Sequence, residues 1–149
     1  MIVIKQATLE NLDELVILFE AYRHFYRQDP AKDEATQFLK ERIEKKESVI
    51  FIAIDQSNNQ ALGFTQLYPT FTSTRMKKSW ILNDLFVSEE GRGNGISKRL
   101  ILAAKEHCVA TKTFGLMLET ERTNIIGNKL YPSAGFTKEE NNFYYWINK

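Results

Sequence analysis

The chain has 149 residues, and its 20 Lys and Arg against 19 Asp and Glu give a formal net charge of +1. This length is typical of one domain, so we expect a single domain over residues 1–149. The charge balance offers no bulk attraction for nucleic acid or an anionic membrane, so we expect neither as a partner. Cys108 is the only cysteine, which excludes a disulfide framework, and we expect no metal site.

One strand and two helices are expected in the N-terminal part of the chain. Ile2–Lys5 is a short apolar segment without the features of a signal peptide, so we expect a cytoplasmic protein. Apolar residues then recur with helical spacing over residues 8–27, and Thr8 is the expected N-cap. Asp29-Pro30 ends this helix, and a second helix is expected over Lys32–Lys46.

Three strands are expected in the middle of the chain. Ser48–Asp55 is rich in β-branched and aromatic residues. Its apolar run, the longest in the chain, has six residues, whereas a membrane span needs about 20. Ala61–Tyr68 and Trp80–Ser88 are the next expected strands, with a loop over Pro69–Lys78 between them. Three consecutive strands favour an antiparallel meander.

The C-terminal part predicts a helix from Ile96, a strand over Phe114–Leu118, a short helix over Asn124–Tyr131 and a last strand over Phe143–Ile147. The strand–helix–strand unit around residues 80–118 favours one parallel crossover. The element order β-α-α-β-β-β-α-β-α-β therefore predicts a mixed α/β fold, with a mostly antiparallel central sheet flanked by helices.

A glycine-rich loop, Arg92-Gly93-Asn94-Gly95-Ile96-Ser97, follows a predicted strand and opens a predicted helix. Glycines at this place let backbone N–H groups converge on an anion at the helix N-terminus. Cationic side chains are added by Arg92, Lys98 and Arg99. The loop indicates a phosphate or pyrophosphate site, and the alternative is a flexible turn that caps the helix. The spacing of its glycines fits neither a P-loop nor a dinucleotide-binding fingerprint.

Three segments resemble motifs of the GNAT superfamily of N-acetyltransferases, in the order that the family has them. Arg92-x-x-Gly95-x-Ser97 resembles the acyl-CoA pyrophosphate loop R-x-x-G-x-[G/A], and Leu82-Asn83-Asp84-Leu85-Phe86-Val87 resembles the fourth strand. The segment from Asn124 to Phe136 resembles N-x-x-A-x-x-L-Y-x-x-x-G-F. The departures are Ser97 for Gly or Ala, and Gly127 for Ala.

The resemblance implies a GNAT-type fold and an enzyme that transfers an acetyl group from acetyl-CoA directly to a primary amine. The parallel βαβ crossover is then expected at the acyl-CoA site. The residues implied to contact acetyl-CoA are Leu85, Phe86, Val87, Arg92, Gly93, Asn94, Gly95, Ile96, Ser97, Lys98, Asn124 and Tyr131.

The catalytic roles that the resemblance implies fall on Tyr131 and Asp84. A phenol with a pKa of about 10 can protonate a departing thiolate whose thiol has a pKa of about 8.5, which suits Tyr131. Asp84 is expected to bind the acceptor ammonium or to take its proton through waters, and Glu119 is a second candidate. Backbone N–H groups near Phe86 and Val87 are expected to polarise the thioester carbonyl at a β-bulge.

The acceptor is expected to be a small primary amine: a polyamine, a lysine analogue or an amino acid derivative. Within the family, the chain resembles the diamine and thialysine acetyltransferases and the small histone- and polyamine-acetylating enzymes of yeast. Where the diamine enzymes have a Glu-Asp pair, this chain has Asn83-Asp84. The residues expected to bind the acceptor are Tyr22, Phe25, Tyr26, Asn83, Asp84 and Glu119.

Two other functions stay open from the sequence. A protein or peptide N-acetyltransferase would have the same motifs, and a non-catalytic acyl-CoA sensor would need only the loop at Arg92–Ser97. We also expect a homodimer, because the expected final strand is aromatic and because members of the resembled family often form homodimers.

Overall fold

The computed structural model describes all 149 residues, which form two compact units over residues 1–119 and 120–149. The first unit contains one five-stranded sheet. Its strands are β1 (Ile2–Gln6), β2 (Val49–Asp55), β3 (Gln60–Thr72), β4 (Lys77–Val87) and β5 (Leu116–Met117). Its helices are α1 (Leu12–Phe25), α2 (Lys32–Glu44) and α3 (Ile96–Ala110), and the second unit contains α4 (Ile125–Ser133).

The strands follow one another across the sheet in chain order. The pairs β1–β2, β2–β3 and β3–β4 are antiparallel, and β4–β5 is parallel. This arrangement confirms the predicted mixed sheet with one parallel crossover, which runs through α3. The β4–β5 pair is short, because only Trp80 and Ile81 of β4 have partners on β5.

Helices cover both faces of the sheet. On β2, Ile50, Ile52 and Ile54 belong to the core shared with α1 and α2. Phe51 and Ala53 alternate with them and pack with α3. Because neighbouring side chains of a strand point to opposite faces, β2 reads as continuously apolar. No helix is long and apolar enough to cross a membrane.

Two expectations for the strands are wrong. The expected loop Pro69–Lys78 is mostly strand, because Thr70, Phe71 and Thr72 continue the ladder opposite Ser79, Lys78 and Lys77. The expected strand Phe143–Ile147 does not form. Its composition suits a strand, but a strand also needs a neighbour to satisfy its backbone N–H and C=O groups, and no strand of the sheet pairs with residues 143–147.

Boundaries also shift at two other elements. The first predicted helix starts as a 3₁₀ turn over Leu9–Asn11, which Thr8 caps as expected, before α1 begins at Leu12. The strand expected over Phe114–Leu118 is reduced to Leu116–Met117.

We expect Phe64→Ala to lower the free energy of unfolding by about 3–5 kcal/mol, because it opens a cavity in the core. Phe64 lies on β3 with 0% exposure and makes edge contacts with the Phe19 and Tyr22 rings. Phe71 on the same strand is 73% exposed and is the matched control. Phe71→Ala should change stability by less than about 0.5 kcal/mol. Equal losses in urea denaturation would contradict this assignment of the core.

Candidate active site

A β-bulge interrupts β4 at Asn83. Gln66 of β3 pairs with Asp84, and the next residue, Leu67, pairs with Leu82, which leaves Asn83 without a partner in the register. The extra residue shifts the pattern of backbone groups on β4 by one position. Beyond the bulge, each side of β4 therefore presents the N–H groups that would face the other side in a strand without the extra residue.

The hydrogen bonds on either side of the bulge give the direction of these N–H groups. Ser88 N–H donates to the Leu62 carbonyl over 2.8 Å, so Phe64–Phe86 and Gln66–Asp84 are the hydrogen-bonded pairs of this ladder. The N–H groups of Leu85 and Val87 consequently point away from β3, towards the side where β5 has ended at Met117. The Phe86 N–H, in contrast, is directed to β3.

The carboxyl group of Asp84 is buried next to the bulge, with 3% of the residue exposed. Gln66 Nε2 donates to its Oδ2 over 2.5 Å, and Asn83 Nδ2 donates to its Oδ1 over 3.1 Å. The Tyr22 hydroxyl donates to the Asn83 carbonyl over 3.4 Å. Gln66 Oε1 is buried without a partner beside this group. The cluster therefore contains the Asp84 carboxyl and the unpaired acceptor Gln66 Oε1, both removed from water.

Burial dominates the electrostatics of this cluster. Loss of water raises the pKa of Asp84 above its usual value, although hydrogen bonds from Gln66, Tyr22 and Asn83 oppose the change. Burial and the charge of Asp84 raise the pKa of Tyr22 and Tyr68. Both phenols therefore keep their protons at neutral pH, and Asp84 is a stronger base than an exposed carboxylate.

Aromatic rings from the end of α1 line the same face. The Tyr22 ring lies 5.9 Å from Phe64 and 6.4 Å from Phe86 in edge contacts. Tyr26 packs against Tyr22 with 5.0 Å between centroids. Phe25 contacts Tyr26 but is largely exposed. Tyr22 lies next to the Asp84 carboxyl, and Tyr26 and Phe25 extend from Tyr22 as a partly exposed aromatic rim.

The glycine-rich loop leads from β4 into α3. Gly93 and Gly95 have φ angles of 81° and 68°, in the left-handed region that glycine adopts without strain. Asn94 Nδ2 donates to the Gly91 carbonyl over 3.1 Å and so closes the loop on itself. A Cβ on Gly93 or Gly95 would meet no atom within 4 Å, so the backbone of this loop is open to a ligand.

The N-terminus of α3 presents free hydrogen-bond donors beside this loop. Gly95 is the N-cap residue and supplies no side-chain acceptor for the first N–H groups of the helix. Arg92, Lys98 and Arg99 are exposed, whereas the Ile96 side chain is buried in the core with 1% exposure. Ile96 can therefore contact a ligand at the N-terminus of α3 only through its backbone. Uncapped N–H groups, an open glycine backbone and two or three cations together fit the pyrophosphate of acetyl-CoA.

In the second unit, Asn124 caps α4 with its own side chain. Its Oδ1 accepts from Gly127 N over 3.1 Å, and its Nδ2 donates to Thr120 Oγ1 over 2.9 Å. A Cβ on Gly127 would lie 2.5 Å from Asn124 Nδ2. An alanine at position 127 would therefore require the Asn124 side chain to move from the position it has in this cap.

Tyr131 lies on α4, where its ring makes an edge contact with Phe136 at 5.8 Å between centroids. Gly135, with a φ of 95°, reverses the chain between these two residues. The turn therefore brings the Phe136 ring against the Tyr131 ring.

The structure brings together Tyr22, Tyr26, Asn83 and Asp84, which the sequence analysis assigned to the acceptor. Glu119 is exposed and lies two residues beyond β5. Gln66 and Tyr68, which also surround Asp84, were missed. The signal for them was present, since Thr65-Gln66 interrupts an otherwise apolar strand, and a buried polar side chain needs a partner.

The comparisons with known proteins agree with this geometry. The chain matches the family described as Acetyltransferase (GNAT) family over residues 13–136. It is 41% identical to the uncharacterized N-acetyltransferase YhfO of Bacillus subtilis (strain 168), over 97% of this chain and 96% of that protein. It is 37% identical to a probable acetyltransferase of Haemophilus influenzae, over 73% of this chain and 74% of that protein.

A crystal structure of a probable acetyltransferase superposes with a TM-score of 0.93 and 38% identity, over 99% of both chains. The chain belongs to the GNAT family of acetyltransferases. It is an N-acetyltransferase, an acyltransferase that uses acetyl-CoA as the acetyl donor.

We expect Asp84→Asn to become progressively more stable than the native chain as the pH rises from 4 to 8. The raised pKa means that the folded state holds this proton more tightly than the unfolded state. The stability that the bound proton contributes to the folded state is therefore full below the ordinary pKa of an aspartate. This stability is lost as the pH rises through the folded pKa, at up to about 1.4 kcal/mol per pH unit. The asparagine amide keeps the acceptor for Gln66 and carries no charge at any pH.

Asp55→Asn is the matched control, because hydrogen bonds from Ser57 lower the pKa of Asp55. The stability that Asp55 contributes is lost as the pH falls, so the difference between this variant and the native chain should run in the opposite direction. Urea denaturation across the pH range measures both. Parallel curves for Asp84→Asn and the native chain would rule out the raised pKa.

Proposed function

We propose that the acetyl acceptor is a small primary amine, of the polyamine, lysine-analogue or amino acid type. The observation that carries this proposal is the buried Asp84 beneath the aromatic rim of Tyr22 and Tyr26. A carboxyl group and aromatic faces are the groups that attract an ammonium ion. The resemblance to the diamine and thialysine acetyltransferases supports the same class of acceptor.

The acceptor must lose a proton before it can attack. A lysine-like amine has a pKa of about 10.4, so about one molecule in 2,500 is neutral at pH 7, a handicap of about 4.6 kcal/mol. Asp84 reduces this handicap, because its raised pKa makes it a better proton acceptor than an ordinary carboxylate. In this proposal Asp84 binds the ammonium or takes its proton through water.

The thioester carbonyl is polarised by backbone N–H groups of β4. The register supports Leu85 and Val87 for this role, since their N–H groups point away from β3. These donors are fixed by the sheet and need no rearrangement when negative charge develops on the carbonyl oxygen. The Phe86 side chain contributes differently, by packing against Tyr22 on the acceptor face.

Acetyl-CoA is held in this proposal by the loop Arg92–Ser97 and the first turn of α3, with Arg92 and Lys98 on the pyrophosphate. The roles that the family resemblance implies for Asn124 and Tyr131 are contact with the pantetheine arm and protonation of the departing thiolate. The match to the family extends to residue 136 and thus spans both units, which supports one catalytic domain over the chain. We further propose a cytoplasmic homodimer as the working form.

We expect Arg92→Ala to raise the Kd for acetyl-CoA roughly tenfold, because a charge-assisted hydrogen bond to phosphate contributes about 1.5–3 kcal/mol. The effect should shrink at high salt, since Arg92 is exposed. Isothermal titration calorimetry measures the Kd. Arg75→Ala removes the same charge at the turn between β3 and β4 and should leave the Kd unchanged. An unchanged Kd for Arg92→Ala would refute the loop assignment.

The proposed acceptor class is tested by CoA release from acetyl-CoA with a panel of amines. The panel contains putrescine, spermidine, thialysine, lysine, an amino sugar and a basic histone-tail peptide. We expect turnover with at least one small amine and little with the peptide. Tyr131→Phe should lower kcat by roughly 100-fold, with the acetyl-CoA Kd changed less than about twofold, because it removes the proton donor alone.

Tyr144→Phe is the matched control, since it removes a phenol outside the family motif. Preference for the peptide would favour a protein acetyltransferase. Tight acetyl-CoA binding without turnover of any acceptor would favour the sensor. Equal losses of kcat and acetyl-CoA affinity in Tyr131→Phe would remove the general-acid role.

A further inference from the structure

The side-chain amide of Gln66 lies against the Asp84 carboxyl, and only one end of this amide has a partner. Gln66 and Asp84 have 0% and 3% exposure, so both groups are removed from bulk water. Gln66 Nε2 donates to Asp84 Oδ2, whereas Gln66 Oε1 is buried without a partner. A buried oxygen without a donor costs free energy, so the single bond to Asp84 does not explain why an amide occupies this position.

The contact in its present orientation suits only the ionised form of Asp84. A carboxylate accepts hydrogen bonds at both oxygens, and Gln66 Nε2 and Asn83 Nδ2 donate to one oxygen each. A protonated carboxyl has an O–H group that needs an acceptor. With a proton on Oδ2, this O–H would face the N–H of Gln66, and two donors would meet. The proposed role of Asp84 requires the protonated form, because the carboxyl takes the proton of the acceptor.

Rotation of the Gln66 amide by 180° removes this conflict. The rotation exchanges Oε1 and Nε2 about a side-chain torsion whose energy profile is broad and roughly two-fold. Oε1 can then accept from the Asp84 O–H, and the 2.5 Å contact lies within the range of an O–H···O bond, about 2.5–3.0 Å. One end of the amide lacks a partner in either orientation, so the rotation breaks no other bond.

The Asp84 side of the contact is fixed, so the adjustment falls to Gln66. Thr65 Oγ1 donates to the backbone carbonyl of Asp84 over 2.8 Å. Gln66 and Asp84 are also partners in the β3–β4 ladder, next to the bulge. Asn83 Nδ2 can donate to Oδ1 whether or not Oδ2 carries a proton. The carboxyl can therefore keep its place while the amide at its other oxygen changes from donor to acceptor.

We propose that Gln66 is a positioning residue for Asp84: its amide donates to the carboxylate and rotates to accept from the carboxylic acid once Asp84 has taken a proton. The inference rests on the role proposed above for Asp84 in acetyl transfer. The acceptor ammonium loses one proton to water and becomes a neutral amine, and Oδ2 of Asp84 gains one proton from water. Both forms of Asp84 then have Gln66 as a hydrogen-bond partner.

Asp84 is the group in this cluster whose charge changes near neutral pH. Tyr22 of α1 and Tyr68 of β3 interact with its carboxyl, and burial raises the pKa of both phenols. Tyr22 packs against Tyr26, and Tyr68 interacts with the charge of Arg42 on α2. Phenols and guanidinium groups ordinarily keep their protons between about pH 5 and 9. A spectroscopic change at the neighbouring amide in this range therefore reports the carboxyl.

NMR on the native chain, labelled with 13C and 15N, tests the rotation. The side-chain signals of Gln66 are assigned through bonds, so the measurement does not depend on the folding of a variant. As the pH falls through the ionisation of Asp84, we expect the Gln66 Cδ signal to move downfield, because Oε1 gains a donor. The hydrogen-bonded N–H should move upfield with the same midpoint, because Nε2 loses its acceptor. Neither change should occur in Asp84→Asn.

Kinetic measurements test the consequence for acetyl transfer. Gln66→Met keeps the length of the side chain and removes both the donor and the acceptor. We expect kcat to fall by at least about tenfold and the KM of the acceptor to change less than about twofold, because the variant affects proton transfer more than binding. Gln37 donates to Glu41 over 2.7 Å on the surface of α2, so Gln37→Met removes a matched amide–carboxylate pair and should change neither constant.

A Gln66 Cδ signal that stays constant between about pH 5 and 9 would overturn the rotation, since the proton of Asp84 would then have another acceptor, such as the Tyr22 hydroxyl. A signal that moves equally in Asp84→Asn would overturn it as well. Native kinetics in Gln66→Met would remove the positioning role. The NMR titration needs neither acetyl-CoA nor an amine, so the absence of turnover with every amine would contradict the proposed function separately from the rotation.

Discussion

The β-bulge at Asn83 is the constraint on which the arrangement of the site depends. One extra residue on β4 sets which side chains beyond it face α1 and which backbone groups face the unpaired side of the strand. Asp84 and Phe86 share the face of Tyr22, while Leu85 and Val87 pack with α3. A regular strand would exchange these two sets, because the side-chain period of a strand is two residues.

The short length of β5 has an equally direct consequence. Because β5 pairs only with Trp80 and Ile81, the half of β4 that follows the bulge has an unpaired side. The N–H groups of Leu85 and Val87 need an acceptor on that side, and a thioester carbonyl is one. The loop at Arg92–Ser97 begins soon after the same strand ends, so the donors that we propose for the carbonyl and those that we propose for a pyrophosphate lie along one continuous piece of chain.

Much of this fold follows from local pattern. The spacing of apolar residues predicted α1 and α2 to within a few residues and the start of α3, and the strand–helix–strand unit predicted the parallel pair. The bulge was beyond such reasoning, since it depends on the register between Gln66 and Asp84. The strand expected over residues 143–147 failed for a related reason. Strand formation requires a neighbouring strand, and the composition of a segment does not determine whether such a neighbour is available.

The residues of the candidate site also fall into two groups: those that sequence motifs predict and those that only the pairing of strands reveals. A family resemblance identifies residues that lie within contiguous motifs, and these are Arg92, Gly95, Asn124 and Tyr131. Gln66 and Tyr68 lie on a strand without a motif, and their relation to Asp84 exists only after β3 and β4 have paired. Gly127 shows the converse case. The sequence shows only a departure from the family at this position, whereas the structure shows that the glycine lets the Asn124 side chain lie close to the backbone of residue 127.

The burial of Asp84 connects stability with function. A carboxyl group with its water removed resists ionisation, and the folded state becomes less stable as the pH rises. The hydrogen bonds from Gln66 and Asn83 limit this loss but leave Gln66 Oε1 without a donor. An apolar residue at position 84 would avoid the first penalty but would leave Gln66 Nε2 without its acceptor. An exposed aspartate would ionise normally, but its pKa near 4 would make it a poor base for an ammonium with a pKa of about 10.4. Desolvation of the carboxyl brings the two pKa values closer, which is the reason that we propose the destabilised Asp84 as the group that takes the proton of the acceptor.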